Sequence, residues 1–455
     1  MDIIEQLPSV MPNALTGTVA RTVGLTVSVA GFPAPVGAVA EIQRQAGPPV
    51  TAEVIGFHDE LTLLYPYGEL EGVRHGNRVR LVRTSHWLRV GDELLGRVVD
   101  AQGKAVDGKP PPALAGRASF SRRPPHPCDR PRISEPLTTG VRAMDGLLTC
   151  GKGQRMGIFA GSGVGKSVLL GMMARYSSAE VIVIGLIGER GREVNEFLQR
   201  DLGPEGLAKS VVVVATSNEP ALLRTQAAAT ASTIAEYFRD QGKDVLLLVD
   251  SLTRFALAQR EIGLAAGEPP TSRGYPPSVF AILPRLVERA GRSPQGSITA
   301  FYTVLVEADD PNEPISDCVR GLLDGHTWLA RRLAARGQFP AIDVLESLSR
   351  LMPDVTTEEH RRAATAVREL LAVYRENEDV ISVGAYRRGA NRTIDAAIDL
   401  REEIQRFLRQ PVSQRSTLDD ARKGLLLLQQ RYQQRLSEPA PAASAPAGQA
   451  APRAG

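Results

Sequence analysis

Short apolar runs alternate with polar residues through the first hundred positions, and longer unbroken apolar runs replace them afterwards. Over residues 15–95, "LTGTVARTVGLTVSVAG", "AVAEIQ", "TAEVIGFHDELTLLYPYG" and "NRVRLVRT" alternate with a period of two and are punctuated by Gly and Asn. That pattern predicts short, half-buried strands and an N-terminal β-barrel domain over 1–95. "GDELLGRVVDAQGKAVDGKPPP" follows, and seven prolines fall between Lys109 and Arg132. Residues 96–133 are therefore expected to be an extended connector. From 134 to 352 the apolar runs are "RMGIFA", "VIVIGLIG", "SVVVVAT", "DVLLLVD" and "SITAFYTVLVE". Runs of this kind suit a parallel sheet covered on both faces. Between them, "REVNEFLQRDL" puts Val194, Phe197, Leu198 and Leu202 on one helical stripe, and 219–239 reads as a longer helix. The predicted fold class is α/β, a doubly wound parallel-sheet core.

Beyond Met352 the periodicity becomes helical and predicts a C-terminal helical domain over 353–436. It opens on the capping box Thr356…Glu359 and carries Ala363, Val367, Leu370, Leu371 and Tyr374 on one face. Further helices are expected near 391–409 and 416–436. The last 19 residues, 437–455, hold eight alanines and four prolines and hardly any large apolar side chains. Such a tail buries too little apolar surface to fold and is expected to be disordered.

The sharpest local signal is "RMGIFAGSGVGKSVLLGMMARY" (155–176), a buried strand, a glycine-rich turn and an amphipathic helix. Gly161, Gly163 and Gly165 are expected to take positive φ and turn backbone amides inward, together with Ser162 and Val164. Val168, Leu169, Met172, Met173 and Tyr176 follow helical spacing, so a helix N-terminus points at the same spot. Lys166 would reach the β- and γ-phosphates of a nucleotide, and the Ser167 hydroxyl would bind Mg²⁺. The run matches G-x-x-x-x-G-K-[ST] except that Ala160 holds the first glycine position, which a strand-end residue with negative φ tolerates. This is a nucleotide-phosphate site, and it makes ATP and Mg²⁺ the expected ligands. Asp250 ends the buried run "DVLLLVD", where a carboxylate would order the Mg²⁺ shell. Glu189 follows directly on the apolar run 181–188, where side chains face the crevice at the carboxyl ends of the sheet. A carboxylate there could orient an attacking water, and Glu193 could support the metal shell.

Composition narrows the class. A chain of 455 residues suggests two or three domains, and 43% hydrophobic with 23% charged residues suits a soluble globular protein. A net charge of +3, with scattered basic residues, does not by itself point to nucleic acid. Cys128, Cys150 and Cys318 are far apart, which indicates neither a disulfide framework nor a zinc site and fits a reducing cytoplasm. The N-terminus lacks the basic and apolar regions of a signal peptide, and no apolar run approaches the ~18 residues that span a bilayer. Membrane association is expected only through partners or a surface contact.

Several long motifs agree with one family. "GRVVDAQGKAVDGKP", the P-loop, "GERGREV", "DSLTRFA" and "FPAIDVLESLSR" occur in the order and spacing of the catalytic β subunit of F-type ATP synthases. Residues 250–291 and 296–326 are more specific and resemble the export ATPases of flagella and type III secretion systems. The resemblance spans roughly 14–436. It implies a RecA-like core, and makes Lys166 the phosphate-binding lysine, Ser167 the Mg²⁺ ligand, Glu189 the water-activating residue with Arg190 beside it, and Asp250 the Walker-B carboxylate. It also matches Arg254 to an arginine near the γ-phosphate. Arg350, closing "SLSR", matches an arginine that reaches into a neighbouring subunit's site. The implied protein is a homo-hexameric Mg²⁺-dependent ATPase at the cytoplasmic face of the inner membrane. A regulatory stator-like subunit, a central stalk-like subunit, export substrates and chaperones would be its partners.

Three departures stand beside this. The segment before the barrel is only about a dozen residues, shorter than the segment that docks the regulatory subunit in flagellar export ATPases. Phe339 stands where a tyrosine is frequent before "PAID". The Ala/Pro tail lies outside the family pattern. "NEPISDCVRGLLDGH" (312–326) leans towards the flagellar system, with a virulence-type injectisome as the alternative. "REIGLAAGEPPTSRGYPPSVF" argues against a rotary synthase β subunit. An RNA helicase would need exposed aromatics on a basic barrel face, whereas Tyr65, Tyr67 and Trp87 have no clustered basic lining.

Overall fold

The computed structural model describes residues 15–306, 310 and 313–437. Six strands, β1 (Thr16–Val23), β2 (Thr26–Ala30), β3 (Val39–Ile42), β4 (Val50–His58), β5 (Leu61–Pro66) and β6 (Arg78–Arg83), close a barrel in the order β1-β2-β5-β4-β3-β6. Alternate residues point inward, so Val19, Val27, Val29, Ala40, Ile42, Val54, Leu64 and Val79 form a separate core. Pairing of β6 with β1 leaves the barrel without an open edge. Tyr65 is buried and donates its hydroxyl to Glu261 at 2.8 Å, and Tyr67 is held by Glu53. Trp87 lies outside the barrel, in a ribbon made by Trp87–Val90 and Gly116–Ser119.

The core sheet has nine strands. Eight lie on one path: β7 (Arg97–Asp100), β8 (Arg155–Ala160), β9 (Val181–Glu189), β10 (Ser210–Thr216), β11 (Asp244–Asp250), β12 (Ser297–Leu305), β13 (Gly325–Leu329) and β14 (Ile342–Ser349). Their spatial order is β14-β13-β8-β12-β11-β9-β10-β7, and every neighbouring pair is parallel except β13 with β14. The five long apolar runs are β8 to β12, buried nearly throughout.

The stretch 96–133 is more than a connector, because its residues 97–100 form the sheet's edge strand β7 beside β10. Val98 and Val99 supply buried apolar area there. Asp107 fixes Arg97 at 2.7 Å and also accepts from the Val98 amide, so the following turn folds back over the edge. A four-residue run between turns offers little local pattern; its partner in β10 makes it a strand.

"REVNEFLQRDL" is likewise not one regular helix. An α-helical turn, Gly191–Glu196, passes into a wider π turn over Phe197–Leu202. Val194, Phe197 and Leu202 are buried and Leu198 half-buried, so the stripe faces the core as expected.

The C-terminal helices are Glu358–Ser382, Arg392–Asp399, Arg401–Leu408 and Leu418–Ser437. The run near 391–409 breaks at Leu400, which is itself buried with Ile404, Phe407 and Leu408. The first helix is capped by Thr357, whose hydroxyl accepts from the His360 amide at 3.3 Å, and not by Thr356. The Thr356 hydroxyl instead donates to Met352 O at 2.6 Å and closes the preceding turn. These helices share one apolar core with the P-loop helix Lys166–Tyr176 and one face of the sheet. The short segment before residue 15 and the tail from 438 lie outside the described residues. Among the described residues no helix is long and apolar enough to cross a membrane.

Candidate active site

Parallel strands deliver their last residues to one edge of the sheet, and three of them carry the predicted chemistry. β8 ends at Ala160, which pairs with Leu305 and Leu329 and so keeps the extended conformation that an alanine accepts at the first P-loop position. Gly163 and Gly165 take φ of 78° and 89°, whereas Gly161 does not adopt positive φ, contrary to expectation. Gly165 caps the P-loop helix. Val164 is buried and anchors the loop, while Ser162, Gly163 and Ser167 are exposed. The loop therefore presents backbone amides and a helix N-terminus to solvent, with the Ser167 hydroxyl in the first turn. Val168 is half-buried and packs on the core beneath.

β9 ends in an irregularity. Its register shifts between Ile187 and Glu189, and Gly188 sits at φ 68°. A Cβ at Gly188 would come within 3.1 Å of Arg254 Cβ and Cδ. The bulge aims Glu189 across the crevice, and Arg254 Nη1 donates to the Gly188 carbonyl. Arg254 also lies 3.3 Å from Glu189 Oε2.

β11 ends at Asp250, which is buried. Its Oδ1 accepts from the Thr303 hydroxyl at 2.7 Å and from Lys166 Nζ. Lys166 Nζ is also 3.4 Å from Glu189 Oε1. Lys166, Glu189, Asp250 and Arg254 thus form one connected cluster of alternating charge, with side chains only 4–26% exposed.

Burial, and next the neighbouring Asp250 charge, push the Glu189 carboxyl up to about 7; Lys166 and Arg254 oppose this. Glu189 hydrogen-bonds Glu193, whose own carboxyl is held below its usual range chiefly by that bond. The pair holds one proton on Glu189 in mildly acidic solution and can release it near neutrality. An ionised Glu189 is suited to hold a water, and Asp250 with the Ser167 hydroxyl offers hard oxygen donors. Such a set fits Mg²⁺, which takes one or two protein oxygens and completes its shell from phosphates and water.

Two predicted residues lie apart. The Arg190 side chain is 75% exposed, with its Nη1 3.9 Å from Glu193 Oε1. Arg350 is exposed, and its backbone amide donates to Asp324 O. Because β14 runs antiparallel to β13, Arg350 lies at the Arg155 end of β8, about 16 Å of strand rise from the P-loop end. Its side chain cannot span that distance to its own P-loop.

Two other residues belong to the site geometry. Thr303 carries a hydroxyl at the seventh of the eleven positions of "SITAFYTVLVE", and a small polar side chain in the carboxyl half of an apolar run was the available signal. Phe339 is 46% exposed, and a Cβ on Gly165 would stand 3.6 Å from its ring. An exposed aromatic ring beside a P-loop offers a flat apolar surface.

Comparison with known proteins gives a consistent result. Residues 140–349 match the family model of the ATP synthase alpha/beta nucleotide-binding domain, and 356–426 match the type III secretion EscN ATPase C-terminal domain. The chain is similar to the flagellum-specific ATP synthase of Bacillus subtilis, with 52% identity over 89% of this chain and 93% of the relative. It is equally similar, at 52% identity over 89% and 92%, to a type 3 secretion system ATPase of Xanthomonas euvesicatoria. Among solved structures, the assembled ATPase EscN of enteropathogenic E. coli superposes with a TM-score of 0.85 at 46% identity. That match covers 90% of this chain and 99% of EscN. A second EscN structure, in complex with its central stalk EscO, gives 0.84.

Proposed function

Since this chain belongs to the family of flagellar and type III secretion export ATPases, we propose that it hydrolyses MgATP within a homo-hexameric ring that energises protein export. The observation that carries the mechanism is the junction of Lys166, Glu189, Asp250 and Arg254 at the carboxyl ends of β8, β9 and β11 of one sheet. The P-loop amides and Lys166 bind the β- and γ-phosphates. Ser167 and Asp250 would hold Mg²⁺, which would supply charge stabilisation when bound, and Thr303 fixes the Asp250 carboxylate. Ionised Glu189 orients water for in-line attack, and Glu193 helps to place it. Arg254 steadies the Gly188 bulge that aims Glu189. Phe339 offers its face to the nucleobase. Catalysis in this arrangement is positioning and electrostatic stabilisation.

Arg350 acts on the site of the neighbouring subunit, a reading supported by its distance from its own P-loop. One chain then carries both halves of each head-to-tail interface. EscN is described with a central stalk, and a comparable stalk, a stator-like regulator, and export substrates with their chaperones are the partners of this reading. They hold the ring at the cytoplasmic face of the inner membrane. The flagellar rather than virulence-type assignment rests on the stretch 312–326.

The test is a pair of variants. Lys166→Ala removes the charge facing the phosphates and should lose both nucleotide binding and turnover. Glu189→Gln keeps shape and polarity but cannot take a proton, so binding of a fluorescent ATP analogue should survive while hydrolysis falls by orders of magnitude. Near-normal turnover in Glu189→Gln would remove Glu189 from the mechanism.

A further inference from the structure

Arg350 is exposed, and among the described residues no hydrogen bond or ion pair engages its guanidinium. Its place is therefore set by its main chain. The Arg350 N–H donates to Asp324 O at 3.0 Å, and Ser349 just before it donates its hydroxyl to Thr149 O at 2.8 Å. Both anchors meet one side chain, that of Gln154, a fully buried residue immediately before β8.

Gln154 Nε2 donates to Ser349 Oγ at 3.1 Å and to Asp324 O at 3.3 Å, and lies 3.2 Å from Met156 Sδ. Its Oε1 accepts from the Gly151 amide at 2.8 Å. Exchanging the amide oxygen and nitrogen would set a donor against the Gly151 N–H and an acceptor against the Asp324 carbonyl, so one orientation alone satisfies both. The surroundings leave this clamp little slack. The Asp324 carboxylate accepts from the Arg155 amide at 3.0 Å and from Arg155 Nε at 3.2 Å, and Arg155 pairs in turn with Glu288. A Cβ on Gly325 would stand 2.4 Å from Leu348 O and 2.8 Å from Met156 Sδ, so β13 and β14 meet backbone to backbone here. A free, exposed cation thus stands on a fixed root.

We infer that Gln154 is a positioning residue for the arginine each subunit offers to its neighbour: its amide holds the Ser349 hydroxyl and the Asp324 carbonyl, and through them the root of Arg350. This rests on the reading of Arg350 given above. Stabilising a transferring phosphoryl group depends on placement, and an error of about 1 Å can cost on the order of 10²-fold. Gln154 lies at the opposite end of β8 from the P-loop and bonds no residue of the charge cluster. Its removal therefore loosens the arginine offered to the next subunit and leaves nucleotide binding by its own P-loop as it is.

The experiment measures, with Mg²⁺, binding of ADP alone and of ADP with aluminium fluoride, a mimic of the transferring phosphoryl group. It uses the full chain, Gln154→Met and Ser349→Ala, at protein concentrations where each assembles. ADP should bind within about twofold in all three, whereas the ADP–fluoroaluminate complex should bind about tenfold more weakly to both variants. Ser349→Ala cuts one anchor and leaves Gln154 in place, so it carries the test if Gln154→Met fails to assemble. Neither substitution should weaken fluoroaluminate binding further when Arg350→Ala is already present, because both act through that arginine.

Equal loss of both ligands, no loss of either, or a further loss in the Arg350→Ala background overturns the inference in favour of a purely structural role. Failure of the parent reading is distinct. In that case Arg350→Ala itself binds the ADP–fluoroaluminate complex as tightly as the unmodified chain.

Discussion

Glu189 concentrates the chemistry of the site at one carboxyl, and its environment makes two measurements informative. Burial raises it to about 7 from an ordinary 4.5. A water-orienting carboxylate acts in its ionised form, so kcat/KM should fall about tenfold per pH unit below that value. A profile flat from about pH 6 to 8 would show that ionisation of Glu189 does not limit the reaction. The same shift has a consequence for stability. The folded chain holds this proton up to about 7, whereas the unfolded chain loses it near 4.5. The group's contribution is therefore fully present below 4.5 and lost as pH rises through 7. Glu189→Gln cannot ionise, and its melting temperature should exceed the parent's above about pH 7, with the gap closing in acid. A residue that weakens the fold at neutral pH while completing the charge cluster is what a functional site leads one to expect. Lys166 and Asp250 were legible from the sequence through the P-loop and the strand-end position. The hydrogen bond between Glu189 and Glu193 was not, because it depends on a bulge that aims the Glu189 carboxyl.

At the scale of elements, caps and edges are where local pattern and structure part. The sequence pair Thr356–Thr357 offers two hydroxyls one residue apart, and either could cap the helix that follows. Packing decides between them. The short helix Met352–Val355 takes the Thr356 hydroxyl for its own last turn, which leaves Thr357 to the His360 amide. Thr357→Ala should therefore destabilise the chain by about 1 kcal/mol, read as a drop of a few degrees in melting temperature. ATPase activity should be retained, since the cap lies away from the charge cluster. An unchanged melting temperature in Thr357→Ala, with a loss in Thr356→Ala, would return the cap to Thr356. Strand β7 teaches a related lesson. Its alternation is too short to be read alone, and hydrogen bonds to β10 make residues 97–100 part of the sheet.

For the whole molecule, the position of Arg350 sets the sharpest expectation. It sits at the opposite end of β8 from the P-loop, so any action on phosphate must cross a subunit boundary. Arg350→Ala protein would keep an intact P-loop with no arginine to offer its neighbour, and Lys166→Ala protein has the reverse defect. Each alone should be inactive, because an arginine finger contributes about 10³–10⁵ in rate. Mixed as monomers at 1:1 and then assembled, about a quarter of head-to-tail interfaces should pair an intact P-loop with an intact arginine. ATPase activity of the mixture above both parents, measured over a range of protein concentrations, supports action in trans. Arg350→Ala protein that assembles and hydrolyses ATP at the parental rate would end the idea.

The sequence by itself determined the alternation of barrel, parallel sheet and helical domain, because periods of two and 3.6 and unbroken apolar runs follow from which faces must leave water. It also determined the P-loop, whose glycines, lysine and serine act within a dozen residues of one another. Tertiary structure alone decided what depends on distant segments meeting. Pairing with β10 made β7 a strand, and antiparallel pairing of β14 carried Arg350 to the far end of the sheet. The Gly188 bulge set Glu189 against Lys166 and Arg254. Gln154 is the extreme case: one polar residue ahead of a buried strand, with no local signature, becomes the junction of three segments only because the chain brings residues 154, 324 and 349 together.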